Sequence, residues 1–310
     1  MWRAFDEESI PKSLHWPVVT LGVFDGVHRG HQAVLKQVIR LANRHGGEAL
    51  VITFDRHPRT LLDAEAPPLI TSLEHRLVLF ERLGIDGALV LRFDHRQAAM
   101  SAAQFVEHFL IRRLAARAVV LGFNSRFGRG AEGDIELLRR YEAENSFEVC
   151  RGRPVYSSGQ PVSSTAIRRA ITEGRLGEAR RMLGRPVSLL GTVIRGDGRG
   201  RSLGFPTANL DLHHEVAPPA GVYATWTRHR QRWLPSVASI GPRPTYDDDT
   251  APGTVEVHLI DRRGLLYGRD LEVQFVRRLR GQRRFADALS LAQQIGRDVD
   301  RTRRLLAHRK

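Results

Sequence analysis

Residues 18–31 read Val-Val-Thr-Leu-Gly-Val-Phe-Asp-Gly-Val-His-Arg-Gly-His, and the fold follows from this stretch. Its first half, 18–24, is a short apolar run rich in β-branched residues, the pattern of a strand buried on both faces. A Gly-rich turn follows, then a helical pattern from about 30 to 45. The alternation continues outward. Strands are expected at 49–54, 87–93 and 118–123, and helices near 72–83, 101–115 and 133–145. Apolar strands alternating with helices imply a doubly wound α/β domain around a parallel sheet. In such sheets ligands bind outside the carboxyl ends of the strands, so chemistry is expected in the turns after 24, 54, 93 and 123.

The texture changes further on. Residues 163–183 read as helix, with Ser163 as a candidate N-cap, and Gly184-Arg185-Pro186 ends the pattern. Short stretches at 187–194, 221–227, 233–240, 254–260 and 271–276 follow, separated by Gly, Pro and Asp clusters. Regularly spaced short strands predict a sandwich or barrel. Residues 285–306 are helical again, with Phe285, Leu289, Ala292, Ile295, Val299 and Leu306 on one apolar stripe. A domain boundary is expected near 185, giving domains 1–185 and 186–310.

Composition narrows the classes. The chain has 310 residues, 42% hydrophobic and 26% charged, which excludes a fibrous or wholly disordered protein. A single cysteine, Cys150, excludes an internal disulfide and any multi-cysteine metal site. No run approaches the ~18 apolar residues of a membrane helix, and no basic-then-apolar leader opens the sequence. A cytoplasmic protein with no membrane partner is expected. A formal charge of +14 invites a nucleic-acid reading. No helix-turn-helix, zinc-finger or RNA-binding aromatic signature accompanies it, so no nucleic-acid partner is expected. Residues 276–310 hold ten Arg and one Lys against Asp287, Asp298 and Asp300, a local +8, so more than half of the excess sits on one segment.

Two constellations carry chemistry. In the first, His28 and His31 are three apart and share one helical face. Gly30 between them lets a ligand approach the backbone, and the amides of a helix start attract phosphate. Two imidazoles there can hydrogen-bond a phosphoryl oxygen as its charge grows. The bland alternative is a Gly-rich turn with two surface histidines. Residues 162–169, Val-Ser-Ser-Thr-Ala-Ile-Arg-Arg, offer the hydroxyls and amides of Ser164 and Thr165 and the fork of Arg168 to a leaving pyrophosphate. Taken alone, they equally describe an ordinary cap with a solvated arginine.

In the second constellation, five glycines (191, 196, 198, 200 and 204) precede Phe205-Pro206-Thr207-Ala208-Asn209. Gly-rich backbone wraps phosphates with its amides. Thr207 and Asn209, two apart on extended chain, point to one side and offer oxygen ligands that Mg²⁺ accepts beside substrate phosphates. Glu256, in Thr-Val-Glu-Val-His, faces away from the core, and a carboxylate beside a triphosphate can take the proton of an attacking hydroxyl. On spacing alone a solvated strand carboxylate is the better account. No Walker A loop is present.

Together these segments resemble a known family. Residues 22–31, Thr53-Phe54-Asp55-Arg56-His57-Pro58, 122–134 and 163–168 resemble the four signature segments of the adenylyltransferase half of prokaryotic bifunctional riboflavin kinase/FMN adenylyltransferases (FAD synthetases). Gly204-Phe205-Pro206-Thr207-Ala208-Asn209, Gly221-Val222-Tyr223-Ala224, Ile240-Gly241-Pro242-Arg243-Pro244-Thr245 and Val255-Glu256-Val257-His258 resemble the riboflavin kinase half in order and spacing. The resemblance covers nearly the whole chain. It implies a Rossmann-like nucleotidyltransferase domain followed by a six-stranded antiparallel barrel with a C-terminal helix. It implies two activities: ATP-dependent phosphorylation of riboflavin to FMN, then adenylylation of FMN to FAD with release of pyrophosphate.

The resemblance also implies residue roles. His28 and His31 stabilise the α-phosphate of ATP, within an ATP-binding segment that includes Gly22, Phe24, Asp25 and Gly30. Ser164, Thr165 and Arg168 hold the pyrophosphate. Asn124 and His57 contact the flavin in the first half, and Arg280 and Phe285 border it in the second. Gly204, Thr207 and Asn209 bind ATP, with Thr207 and Asn209 at Mg²⁺, and Glu256 is the base for the ribityl 5′-hydroxyl. Riboflavin, FMN and ATP are the expected partners, and a homo-oligomer is compatible with the sequence. Four positions depart from the family pattern: Arg56 replaces a proline, Ser125 an aromatic, Ala131 an arginine and Ser239 an asparagine.

Overall fold

A computed structural model describes residues 1–56, 67–145, 147–196, 199–213, 215–241, 254–262 and 264–307. The chain divides into two compact units. One holds Met1–Pro67 and Leu73–Ser163, the other Pro68–Ser72 and Ser164–Lys310. The helical residues after Ser163, which the sequence groups with the first domain, fall with the second unit in this division.

The first unit is a parallel sheet of β1 (Trp2–Ala4), β2 (Val18–Leu21), β3 (Ala49–Phe54), β4 (Gly87–Leu91), β5 (Ala118–Leu121) and β6 (Glu148–Arg151), in the order β1-β4-β3-β2-β5-β6, followed by a two-stranded hairpin of β7 (Tyr156–Ser157) and β8 (Gln160–Pro161). Each strand feeds side chains alternately to its two faces. Leu50, Ile52 and Phe54 pack into one core with Phe105 and Leu138, while Ala49 and Val51 pack into another with Leu35 and Phe80. Helices therefore cover both faces: α1 (Arg29–Arg44), α2 (Leu73–Leu83), α3 (Ala102–Phe105), which runs on as π-helical turns over Val106–Arg113, and α4 (Ile135–Asn145). Strand order reverses between β2 and β5, so the crevice at their carboxyl ends is the ligand position of this architecture. Both 22–28 and Asn124 lie in turns leaving those strands.

Three strands end two or three residues earlier than predicted. β2 stops at Leu21 because Phe24 turns into left-handed conformation, φ +54°. β5 stops at Leu121, where the Ser125 N–H donates to the Gly122 carbonyl and starts a turn. β4 stops at Leu91, and the Phe93 N–H leaves the ladder to donate to the Asp55 carboxylate at 2.9 Å.

In the second unit, the expected helix over 163–183 is two helices, α5 (Ser164–Thr172) and α6 (Leu176–Leu183). Gly174, φ +73°, reverses the chain between them. A closed antiparallel barrel follows, of β9 (Ser188–Ile194), β10 (Ala208–Leu212), β11 (Gly221–His229), β12 (Arg232–Ile240), β13 (Val255–Leu259) and β14 (Asp270–Arg280), ordered β10-β13-β12-β11-β14-β9. The buried Glu215 carboxylate ties residues 68–72 to this unit. It accepts from the Ser72 N–H and hydroxyl, both at 2.8 Å, and from the Leu190 N–H at 3.0 Å. The last helix, α7, spans Ala288–Ala307. It starts three residues later than predicted because Asp287 accepts from the Ser290 N–H at 2.7 Å. Phe285 therefore precedes the helix, and Leu289, expected on the apolar stripe, is 69% exposed.

Candidate active sites

In the first unit, residues 22–28 form the turn out of β2. Phe24 (φ +54°), Gly26 (φ +82°) and Val27 (φ +39°) all take positive φ, so the turn coils tightly. It delivers His28 as the N-cap of α1, where Nδ1 accepts the His31 N–H at 3.3 Å. An accepting Nδ1 places the proton of neutral His28 on Nε2, which makes that nitrogen a donor. The two imidazoles stack with centroids 3.5 Å apart and planes 20° apart. Phe24 meets the edge of the His31 ring at 5.3 Å. Gly30 has a steric reason: a Cβ there would lie 3.0 Å from the His28 ring. Asp25 and His28 are both buried. The structure thus brings together Gly22, Phe24, Asp25, His28, Gly30 and His31 at the switch point.

Asn124 is exposed in the turn after β5. Its neighbour Ser125 packs against Gly122, where a Cβ would come within 2.5 Å of the Ser125 hydroxyl oxygen. Asp134 shapes the same loop, accepting from the Glu136 and Leu137 N–H groups at 3.0 Å and pairing with Arg126 at 2.7 Å. Those bonds, the Leu137 amide foremost, hold its carboxyl below the usual carboxylate range. His57 lies outside the described residues. A cleft of about 690 Å³ opens at the carboxyl end of β4, lined by Phe5, Arg92, Met100 and Phe109 among others. The sequence expects chemistry in the turn after 93, at this cleft, but singles out none of its lining residues, which come from three separate segments with no shared motif.

Ser164 and Thr165 form the first turn of α5 in the second unit. Arg168 lies one turn on, and its Nε donates to the Pro68 carbonyl at 2.7 Å. Hydroxyls at a helix start with an arginine one turn on are groups that can hydrogen-bond an anion.

The barrel assembles the second constellation. Asn209 and Glu256 are Cα partners across β10 and β13, and Ser239 is the partner of Glu256 across β12. The Thr207 hydroxyl donates to Glu256 Oε2 at 3.5 Å. Val255 and Val257 are buried and Glu256 is exposed between them, as the alternation predicted. The glycines upstream have a reason in packing. A Cβ on Gly196 would lie 2.0 Å from Asn209 Nδ2, and one on Gly200 would lie 3.0 Å from Thr207 Oγ1. The loop backbone therefore runs directly against both side chains. The His258 ring N–H donates to the Pro206 carbonyl at 2.9 Å, and Phe205 meets the same ring edge-on at 5.6 Å, fixing the approach to Thr207. Gly204 adopts φ +83° with open space around it. Arg243, Pro244 and Thr245 lie outside the described residues.

Arg280 ends β14. Its Nε donates to Asp298 at 2.9 Å, and its guanidinium sits 5.7 Å from the Phe285 ring centroid. Asp298 also accepts from Gln294 at 3.0 Å. Gln282 donates to the Ser239 hydroxyl at 3.2 Å and the Ile240 carbonyl at 2.8 Å, closing the segment after Arg280 onto the Glu256 neighbourhood. The sequence offered no sign of Asp298 or Gln282, since both contacts cross between distant elements.

The fold and the two constellations define a nucleotide-dependent transferase with one candidate centre in each unit. The family model described as FAD synthetase matches residues 10–166, and the one described as riboflavin kinase matches 183–306. The bifunctional riboflavin kinase/FMN adenylyltransferase of Escherichia coli K12 is 38% identical over 283 residues, 91% of this chain and 90% of its own. The Listeria monocytogenes protein of the same name is 38% identical over 293 residues, 94% and 92%. A solved structure from Streptococcus pneumoniae, described as a macrolide-efflux protein, is 30% identical with a TM-score of 0.80, over 97% of this chain and 98% of its own. Among the described residues, no helix is long and apolar enough to cross a membrane. The chain belongs to the bifunctional riboflavin kinase/FMN adenylyltransferase family.

Proposed function

We propose that residues 186–310 phosphorylate riboflavin and residues 1–185 adenylylate the FMN so formed, in the cytoplasm, with riboflavin, FMN and ATP as partners. The observation that carries this reading is a cluster of the expected residues in each unit: stacked His28 and His31 at the switch point, and Glu256 beside Thr207 and opposite Asn209. In the barrel, the ribityl 5′-oxygen attacks the γ-phosphorus of ATP. Glu256 takes the hydroxyl proton, and ADP leaves. Glu256 is exposed between buried Val255 and Val257, so its carboxylate faces out where an attacking hydroxyl can reach it. Arg280, its guanidinium over the Phe285 ring, borders the flavin.

In the α/β unit, an FMN phosphate oxygen attacks the α-phosphorus of a second ATP and pyrophosphate leaves. The His28 Nε2–H and the His31 imidazole donate to oxygens that gain charge in the transition state. Gly22, Phe24, Asp25 and Gly30 form the wall along the nucleotide. The resemblance assigns the pyrophosphate-binding chemistry to Ser164, Thr165 and Arg168 at the start of α5, and the flavin contacts to His57 and Asn124.

The donors beside Glu256 fit Mg²⁺. A hydroxyl and an amide oxygen are hard ligands, too few for a protein cage and suited to an ion that shares phosphate oxygens. Thr207 and Asn209 would hold it, and bound there it supplies charge neutralisation of the phosphates. Supplying riboflavin, ATP and Mg²⁺ and separating the products by chromatography tests the reading. Both FMN and FAD are expected, and neither with EDTA. Absence of both products from the Mg²⁺ reaction would defeat it.

A further inference from the structure

Helix α2 lies outside every segment that carries the resemblance, yet it presents two residues to the turn bearing His28 and His31. Arg76 and Phe80 are four apart and share one helical face. Arg76 is fully buried. Its Nη1 donates to the Val23 carbonyl and to the Thr53 hydroxyl (3.1 Å), and its Nη2 to the Phe54 carbonyl at 3.0 Å. One guanidinium thus bonds the residue before Phe24 to the end of β3. Phe80, also fully buried, meets Phe24 edge-on at 5.8 Å. Phe24 in turn meets His31, and His31 stacks on His28. Contact is continuous from α2 to both imidazoles.

The turn needs such support. Phe24 and Val27 hold left-handed conformations that cost about 1 kcal/mol each without a compensating contact. Conformations of that kind persist where surroundings over-determine them. Arg76 fixes the carbonyl on one side of Phe24, and Phe80 fixes its ring. We propose that Arg76 and Phe80 are positioning residues for adenylyl transfer, holding the turn from Val23 to Val27 so that His28 and His31 meet the α-phosphate in one fixed geometry. This rests on the function proposed for these histidines. Lysine is the discriminating replacement for Arg76, because an ammonium lacks the planar fork that reaches all three acceptors, one in the turn after β2 and two at the end of β3.

The test uses the full chain and two variants, Arg76→Lys and Phe80→Leu. Three readouts are needed: kcat and KM for FAD formation from FMN and ATP, riboflavin phosphorylation by the same preparation, and the imidazole NMR resonances. Arg76→Lys is expected to lower kcat for FAD formation by about 30-fold or more, since misplacement by about 1 Å costs on the order of 100-fold. Its KM for ATP and its FMN formation should stay within about twofold. The His28 and His31 resonances should shift while that of His229, in the other unit, does not. An Arg76→Lys kcat within about twofold of wild type, with unshifted His28 and His31 resonances, overturns the proposal. If Arg76→Lys unfolds the first unit, Phe80→Leu decides: a kcat loss of about fivefold or more supports the proposal, and a smaller one overturns it. Wild-type protein that makes no FAD defeats the functional reading instead, and the resonance shifts then decide the positioning claim alone.

Discussion

Glu256 stands directly opposite Asn209 across the β10–β13 ladder, and the Thr207 hydroxyl reaches its carboxylate at 3.5 Å. A proposed base and two proposed metal ligands therefore share one outward patch of the barrel. Glu256→Gln keeps the shape and removes the proton acceptor. FMN formation should fall by about 100-fold or more, the usual worth of a general base. Conversion of supplied FMN to FAD should persist, because His28 and His31 lie in the other unit. Continued riboflavin phosphorylation at the wild-type rate would remove Glu256 from the mechanism.

How much of this was legible in the sequence depends on the range of the contact. The start of the β2 run, the 49–54 strand and the alternation around Glu256 read correctly because burial on one or both faces leaves a local pattern. The Thr207–Asn209–Glu256 cluster could be guessed only through the family, since ladder register does not show in spacing. Strand ends were misplaced where a local turn cuts the apolar run short, as at Phe24 and Ser125, and where a distant group takes an amide, as Asp55 takes that of Phe93. Phe285 looked helical because it continues the apolar period, but Asp287 caps the helix after it. Arg76 left no readable signal: an arginine inside an amphipathic helix normally reads as solvated, and only the tertiary fold shows it fully buried.

His28 has two separable duties, capping α1 and donating to phosphate. His28→Asn retains a good N-cap acceptor but loses the imidazole donor. FAD formation from FMN should drop by about 100-fold or more, the usual worth of one oxyanion donor. The melting temperature should change little. His28→Ala should lose the same activity and about 1 kcal/mol of stability besides. Equal stability of the two variants in thermal melts would show that the cap bond contributes nothing.

Gly196 separates packing from function in the barrel. A Cβ there meets the far end of the Asn209 side chain, which can rotate away, so Gly196→Ala should cost under about 1 kcal/mol. Rotation takes Asn209 out of the patch shared with Glu256 and Thr207. The KM for Mg-ATP in riboflavin phosphorylation should therefore rise by about fivefold or more. Steady-state kinetics with an unchanged KM would show that Asn209 does not touch the metal-bound nucleotide.

Asp298 reaches the proposed flavin border through Arg280. The pair is nearly enclosed, with side-chain exposures of 5% for Asp298 and 12% for Arg280. Asp298→Asn leaves Arg280 without its anionic partner and should destabilise the second unit by about 1–3 kcal/mol. Released from Asp298, the guanidinium no longer sits fixed over Phe285, so the KM for riboflavin should rise while FAD formation from FMN is unaffected. Unchanged riboflavin KM in a variant with lowered thermal stability would confine Asp298 to a structural role.

Cys150 offers a test by pH. Burial, then the hydrogen bond and charge of Glu148, push its thiol up to about 11. A raised folded-state value means the native chain keeps the proton after the unfolded chain has lost it. The contribution of Cys150 to stability is therefore intact below about pH 9 and fades as pH rises toward 11. Only the thiolate reacts with iodoacetamide. At pH 8, alkylation of the native protein should run about 100-fold slower than that of an unperturbed thiol, and it should accelerate about tenfold per pH unit up to that value. The Glu148→Gln variant removes the charge and weakens the bond, so its alkylation profile should shift to lower pH without reaching that of a free thiol, because burial remains. Mass spectrometry of the alkylated protein across pH 7–11 reads both effects, and a wild-type profile centred near an ordinary thiol value would show that Glu148 and burial do not act on Cys150.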